Sequence, residues 1–195
     1  MRTATINRKT AETDISLSLT LEGTGKHNID TGCGFLDHML TLFAVHGRFN
    51  LDVKCIGDTH VDDHHTVEDV GICLGEAFTK ALADKKGITR YGFMAVAMDE
   101  ALLLCALDIS GRASLNYGLR VPTQKVGTFD TELTLEFFVA FVRACPLSLH
   151  LKQEAGKNSH HIIEGAFKAF GRAMKIAVRI DEQTKNEIPS SKGVL

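Results

Sequence analysis

The string HHxxE occurs twice, at His64–Glu68 and again 96 residues later at His160–Glu164, and this repeat most restricts what the chain can fold into. From the histidine and glutamate content of 195 residues, chance supplies only about 0.02 copies of such a string. At the same offset Gly75 matches Gly171, Ala77 matches Ala173, Ala81 matches Ala177, and Leu51 keeps register with Leu147. The chain therefore reads as a duplication, and each element assigned to one half predicts a counterpart in the other.

Hydrophobic periodicity supplies the elements. Residues 15–21 (ISLSLTL) alternate apolar and polar side chains, the pattern of a half-buried strand, and Leu51, Val53 and Cys55 alternate again. Leu36, Met39, Leu40 and Phe43 fall at helical spacing before Gly47, and Val67, Val70, Leu74, Phe78 and Ala81 predict a second helix over 65–85. The second half supplies strands at 93–98, 101–109, 113–119 and 147–151, with helices over 131–144 and from 160 onward. The run ALLLCALDI at 101–109 is apolar enough to predict burial on both faces. The expected fold is α+β, a tandem βββαβα repeat with halves 1–92 and 93–195, its two sheets enclosing the helices around one integrated unit.

On a helix His64 and Glu68 stand one turn apart on the same face, as do His160 and Glu164, so each pair can hold one metal ion. His65 and His161 point about 100° away and suit a different ion. Two such helices facing one another would offer four imidazoles and two carboxylates, close to what two octahedral ions require. A nitrogen and oxygen set without thiolate fits Mn²⁺, Fe²⁺ or Zn²⁺ in an open site better than a closed structural zinc. His38, in GFLDHML on the first helix of its half, is a further ligand candidate, and the corresponding helix of the second half carries Glu136.

Composition excludes other classes. With 22 Lys+Arg against 24 Asp+Glu there is no excess positive field for nucleic acid or an anionic membrane. No apolar stretch long enough for a membrane span or signal peptide occurs, so the expectation is a cytoplasmic protein. The five cysteines are widely spaced and read as buried small hydrophobes.

Taken together, GFLDHMLTLFAVHG, DDHHTVEDVGICLG, RYG at 90–92, MDEAL, DISGR, KVGTFDTEL, NSHHIIEGAFKAFGRA and the terminal PSSKG closely resemble the imidazoleglycerol-phosphate dehydratases, from about residue 2 to residue 193. The resemblance implies a hydro-lyase with two manganese ions per active site and a homo-oligomer of about 24 subunits, its sites formed between chains. It places His38, His64, His65, Glu68, His160, His161 and Glu164 around the metals. It also assigns substrate contacts to Glu12, His46, Arg90, Arg112, Lys168, Ser190, Ser191 and Lys192 as well as to His38, His64, Glu68 and His160. Many family members have histidine where this chain has Glu136.

The reaction implied removes water from D-erythro-imidazole glycerol phosphate to give imidazole acetol phosphate. Because no carbonyl adjoins the departing proton, the expected electron sink is the substrate's own imidazolate held by the two metals, with Glu164, Glu12 and His46 as candidate acid/base groups. The arginines offer planar donor forks and Lys168 and Lys192 point charges for a phosphate dianion. Two other functions use the same ligands: a dimetal phosphoester hydrolase and a metal-storing assembly.

Overall fold

The alternation of Ile15, Leu17 and Leu19 with polar neighbours leaves the three apolar side chains at most 1% exposed on one face of a strand. The computed structural model describes residues 1–195. Its first half runs β1 (Thr3–Lys9), β2 (Thr13–Thr20), β3 (His27–Asp30), α1 (Gly34–Gly47), β4 (Asn50–Gly57) and α2 (His64–Leu82). The second runs β5 (Tyr91–Met98), β6 (Ala101–Asp108), β7 (Ser114–Gly118), a two-stranded insert of β8 (Lys125–Val126) and β9 (Phe129–Asp130), then α3 (Leu133–Ala144), β10 (Ser148–Ala155) and α4 (Ser159–Val178).

Each half is βββαβα, and the sheets have equivalent orders, β1-β2-β4-β3 and β5-β6-β10-β7. The last pair in each, β3 with β4 and β7 with β10, is parallel and bridged by a helix; the other pairings are antiparallel. The seam between halves lies just before Tyr91, so a boundary at 92/93 falls inside β5. The apolar stripe ends at Ala81, and positive φ at Ala83 (48°) and Lys85 (59°) ends α2 at Leu82, short of the predicted bound at residue 85.

Helices cross over between the halves. α2 packs on β1 and β2 of its own sheet and against α3, whereas α4 packs on β5 and β6 and against α1. The two HHxxE helices therefore do not face one another; each has as partner the first helix of the other half. Phe43 of α1 stacks on Phe170 of α4 at 5.2 Å between ring centroids, and Phe78 of α2 meets Phe141 of α3 edge-on at 5.7 Å. One continuous core of 50 buried residues results, with both halves contributing to it.

The close approach of the helices needs glycine at equivalent positions. A Cβ on Gly171 would lie 2.7 Å from the carbonyl oxygen of Phe43, and one on Gly75 2.7 Å from that of Phe141. This explains why Gly75 and Gly171 are among the repeat's identities. Helices cover only one face of each sheet, which corrects the reading of β6: Ala101, Leu103, Cys105 and Leu107 are buried, while Leu102 is 37% exposed and Leu104 and Ala106 are half-buried. All five cysteines are buried and unpaired, as their apolar settings predict.

Candidate metal centre

The start of α4 is fixed by its cap. Asn158 accepts hydrogen bonds from the backbone N–H groups of His160 (2.9 Å) and His161 (3.2 Å), which sets the helix phase and turns His160 and Glu164 onto the face toward α1. At the equivalent position before α2, Asp62 accepts from the His64 N–H at 2.8 Å.

From α1, His38 completes a trio. Its Nε2 is 3.6 Å from Glu164 Oε2, and His160 Nε2 is 3.0 Å from the same oxygen. The ligand atoms of His38, His160 and Glu164 all lie within 4.8 Å of one another. Two imidazole nitrogens and one carboxylate oxygen are half of an octahedral shell and match the preferences of Mn²⁺ or Fe²⁺, so these residues fit a divalent ion. The trio crosses the halves, with His38 from the first and His160 and Glu164 from the second.

Glu164 is only 7% exposed. Burial opposes its ionisation, but a 2.5 Å bond from Lys168 Nζ to Oε1, the charge of Lys168 and the facing His160 and His38 outweigh burial and hold its carboxyl below the ordinary value. A carboxylate kept ionised in a covered position is a good ligand and a good proton acceptor.

The pseudo-equivalent set is looser. His64 Nε2 stands 3.9 Å from Glu68 Oε2, one turn apart on α2, and Glu136 occupies on α3 the place His38 has on α1. These three do not form a trio within the 4.8 Å of the first set. This set carries two carboxylates, Glu68 and Glu136, where the first carries one, Glu164.

His65 and His161 splay away from their neighbours, with ring planes at 81° to His64 and 76° to His160. Carboxylates hold both. His65 Nδ1 faces Asp58 at 3.0 Å and its Nε2 lies 3.6 Å from Glu12. His161 Nδ1 faces Glu100 at 2.7 Å and its Nε2 lies 3.7 Å from Asp99. The hydrogen bonds to Asp58 and to Glu100, ahead of the opposing effect of burial, raise the pKa of each imidazole. Glu100 is lowered to about 2 by the His161 bond first and then by the N–H groups of Asn158 and Lys157.

Asp58, Asp99 and Glu100 were not among the residues predicted from sequence. A signal exists for Glu100: β2 begins at Thr13 and β6 at Ala101, so Glu12 and Glu100 each immediately precede the equivalent strand.

His46 lies in the last turn of α1, two helical turns from His38 and so about 12 Å along the axis. Burial, then the charges of Lys168 and Arg172, lower its pKa and favour the neutral ring.

The remaining predicted contacts gather elsewhere. Arg90 donates from Nε and Nη2 to Asp108 (2.7 and 3.1 Å) and from Nη1 to the Pro189 carbonyl (2.8 Å), which ties down the segment bearing Ser190, Ser191 and Lys192. Arg112 follows Gly111, whose added Cβ would lie 2.9 Å from the carboxyl carbon of Leu195. Two rulers measure how far this cluster is from the trio. The Arg90 N–H donates to the Ala177 carbonyl, 17 residues beyond His160 on α4, which is about 25 Å. β6 begins beside Glu100, at the start of α4, and ends at Asp108, about 24 Å away. One chain thus holds the metal trio and the basic cluster at opposite ends of α4; of the basic residues only Lys168 touches the trio.

Residues 31–174 match the family model of imidazoleglycerol-phosphate dehydratase. Imidazoleglycerol-phosphate dehydratases of Desulforamulus reducens and Jannaschia sp. are 57% and 55% identical to this chain, over 100% of its length and 98% and 100% of theirs. Among solved structures, the imidazoleglycerol-phosphate dehydratase of Staphylococcus aureus superposes with a TM-score of 0.84 at 41% identity, covering 92% of this chain and 99% of that one. The Pyrococcus furiosus IGPD structure, a complex with (S)-C348, gives 0.82 at 35% identity over 97% of this chain and 100% of that one. The fold and these similarities together assign the chain to the imidazoleglycerol-phosphate dehydratase family.

Proposed function

We propose that this chain dehydrates D-erythro-imidazole glycerol phosphate to imidazole acetol phosphate in histidine biosynthesis, as a cytoplasmic homo-oligomer of about 24 subunits with two manganese ions per active site. The observation that carries the reading is the trio of His38, His160 and Glu164, a ligand set gathered from both halves around one small volume.

His38, His160 and Glu164 would hold one ion; His64, Glu68 and Glu136 would hold the other, with His65 and His161 available to ions held by neighbouring copies. When bound, the metals supply Lewis acidity toward the substrate's imidazole ring. The proton chemistry belongs to the chain. Lys168 keeps Glu164 ionised, and His46, with its lowered pKa, offers a neutral ring nitrogen as acceptor. Glu12 is the third carboxylate or imidazole available for this work, beside His65 Nε2.

Phosphate binding falls to Arg90, Arg112, Lys168, Ser190, Ser191 and Lys192. The extended substrate spans about 8–10 Å from ring to phosphate, less than half of the separation between trio and basic cluster within one chain. A site using both must combine the trio of one copy with the cluster of another. This supports the shared-site assembly over a metal store, for which a basic cluster has no purpose.

The test is product analysis with manganese-loaded enzyme. Retained phosphate with a new ketone is expected, and release of inorganic phosphate without ketone would replace this reading by that of a phosphoester hydrolase. Chelation should abolish turnover and, if the metals join copies, reduce the assembly's mass.

A further inference from the structure

Glu100 makes more bonds than a turn residue needs. It follows Asp99, whose left-handed backbone (φ 49°) turns β5 into β6, and it reaches across to the start of α4. Its Oε1 accepts the N–H groups of Lys157 (3.0 Å) and of the α4 cap residue Asn158 (2.8 Å). Its Oε2 is 2.7 Å from His161 Nδ1. One carboxylate thereby fixes both the backbone that carries His161 and the ring itself. In the first half Asp58, at the end of β4, meets His65 Nδ1 at 3.0 Å, so the outward histidine of each string has an acidic partner on the same ring nitrogen.

We infer that Glu100 is a positioning residue for His161, and Asp58 for His65: each holds the proton on Nδ1 and so leaves the Nε2 lone pair as the ligand. The inference rests on the manganese reading above. A carboxylate accepts only, so the Nδ1 facing it must donate, and the neutral ring then has its free lone pair on Nε2. A ligating histidine held in this way keeps its tautomer and its ring orientation.

Glu100→Gln separates this role from a structural one. The single amide oxygen must serve the two backbone N–H groups, so the NH₂ faces His161 and forces Nδ1 to accept; the proton moves to Nε2, where it blocks ligation. Manganese binding to the full-length protein, followed by the EPR signal of the free ion and by nitrogen modulation of the bound ion, reads the effect. The wild type is expected to bind two ions per chain, and Glu100→Gln to bind one of them about 10- to 100-fold more weakly with one imidazole nitrogen fewer. His161→Ala should lose the same ion, and Glu100→Asp, which keeps an acceptor, should recover part of the affinity. The metal-free thermal midpoint of Glu100→Gln should stay close to wild type; if it does not, Asp58→Asn tests the same relation at His65.

Wild-type manganese binding by Glu100→Gln, alongside a lost ion in His161→Ala, overturns the positioning role and leaves the metal reading standing. No manganese binding by the wild type, or full binding by His161→Ala, overturns both.

Discussion

Lys168 Nζ lies 2.5 Å from Glu164 Oε1, while the other oxygen of Glu164 faces His160 Nε2 at 3.0 Å. The carboxylate is shared between a fixed cation and the candidate metal position, so its charge is set before any substrate enters. Glu164→Gln preserves size but removes the charge and the proton-accepting capacity. Turnover should fall by about 10²- to 10⁴-fold, with substrate binding partly retained. Steady-state kinetics alongside metal analysis checks this; wild-type turnover at full metal content would remove Glu164 from the mechanism.

The distance between trio and basic cluster predicts complementation. Glu164→Gln lacks a working trio and Arg112→Ala lacks part of the phosphate clamp, the latter raising KM about 10- to 100-fold while leaving metal content unchanged. Co-assembled in equal amounts, the two variants should regain activity in about a quarter of the sites by random pairing, because a sound trio can meet a sound clamp on another copy. If trio and clamp worked within one chain, mixing would restore nothing.

Gly171→Ala tests the helix seam. In an ordinary helix interior alanine is favoured over glycine by about 0.5–1 kcal/mol. Here the new methyl would sit 2.7 Å from the Phe43 carbonyl, which belongs to backbone and cannot swing aside. The expected result is a net loss of about 1–3 kcal/mol in denaturant unfolding. Because the clash separates α4 from α1, it should also move His160 and Glu164 away from His38 and weaken metal binding. Gly75→Ala should destabilise to a similar extent, through the Phe141 carbonyl.

Glu22 gives a pH-dependent contribution away from the metal trio, where its partner Arg2 donates to the Val178 carbonyl at the far end of α4. Burial raises its pKa, but hydrogen bonds from the Arg2 N–H and guanidinium outweigh burial and lower it below 4.5. A depressed folded pKa means that the contribution is complete above the unfolded value and is lost as pH falls through the folded value. The difference in urea midpoint between wild type and Glu22→Gln should therefore be constant at neutral pH and close as pH falls below about 4.5. For a pair this exposed it should stay under about 1 kcal/mol.

Which features were legible in the sequence follows from the range of the interactions behind them. The stripe from Leu36 to Phe43 and the alternation at Ile15–Leu19 are local patterns, and α1 and β2 formed where they predict. The polar strand β3 (HNID) has no apolar run to mark it; it exists because its backbone pairs with β4. The β8–β9 hairpin carries no sequence signal of comparable strength. β6 read as doubly buried because its run of leucines does not reveal that only one side of the sheet is covered.

By itself the sequence determined the duplication, the two classes of ligand and the i,i+4 pairing of His160 with Glu164, since one helical turn suffices to bring those two together. Only the tertiary structure decided that His38 joins α4 rather than α2. It also turned His65 and His161 toward Asp58 and Glu100, and set the Arg90 backbone about 25 Å from His160 along α4. Those relations depend on helix crossing at Gly171, on hairpin turns meeting helix starts and on the length of α4. They arise between segments far apart in the chain, where no periodicity within a single segment records them.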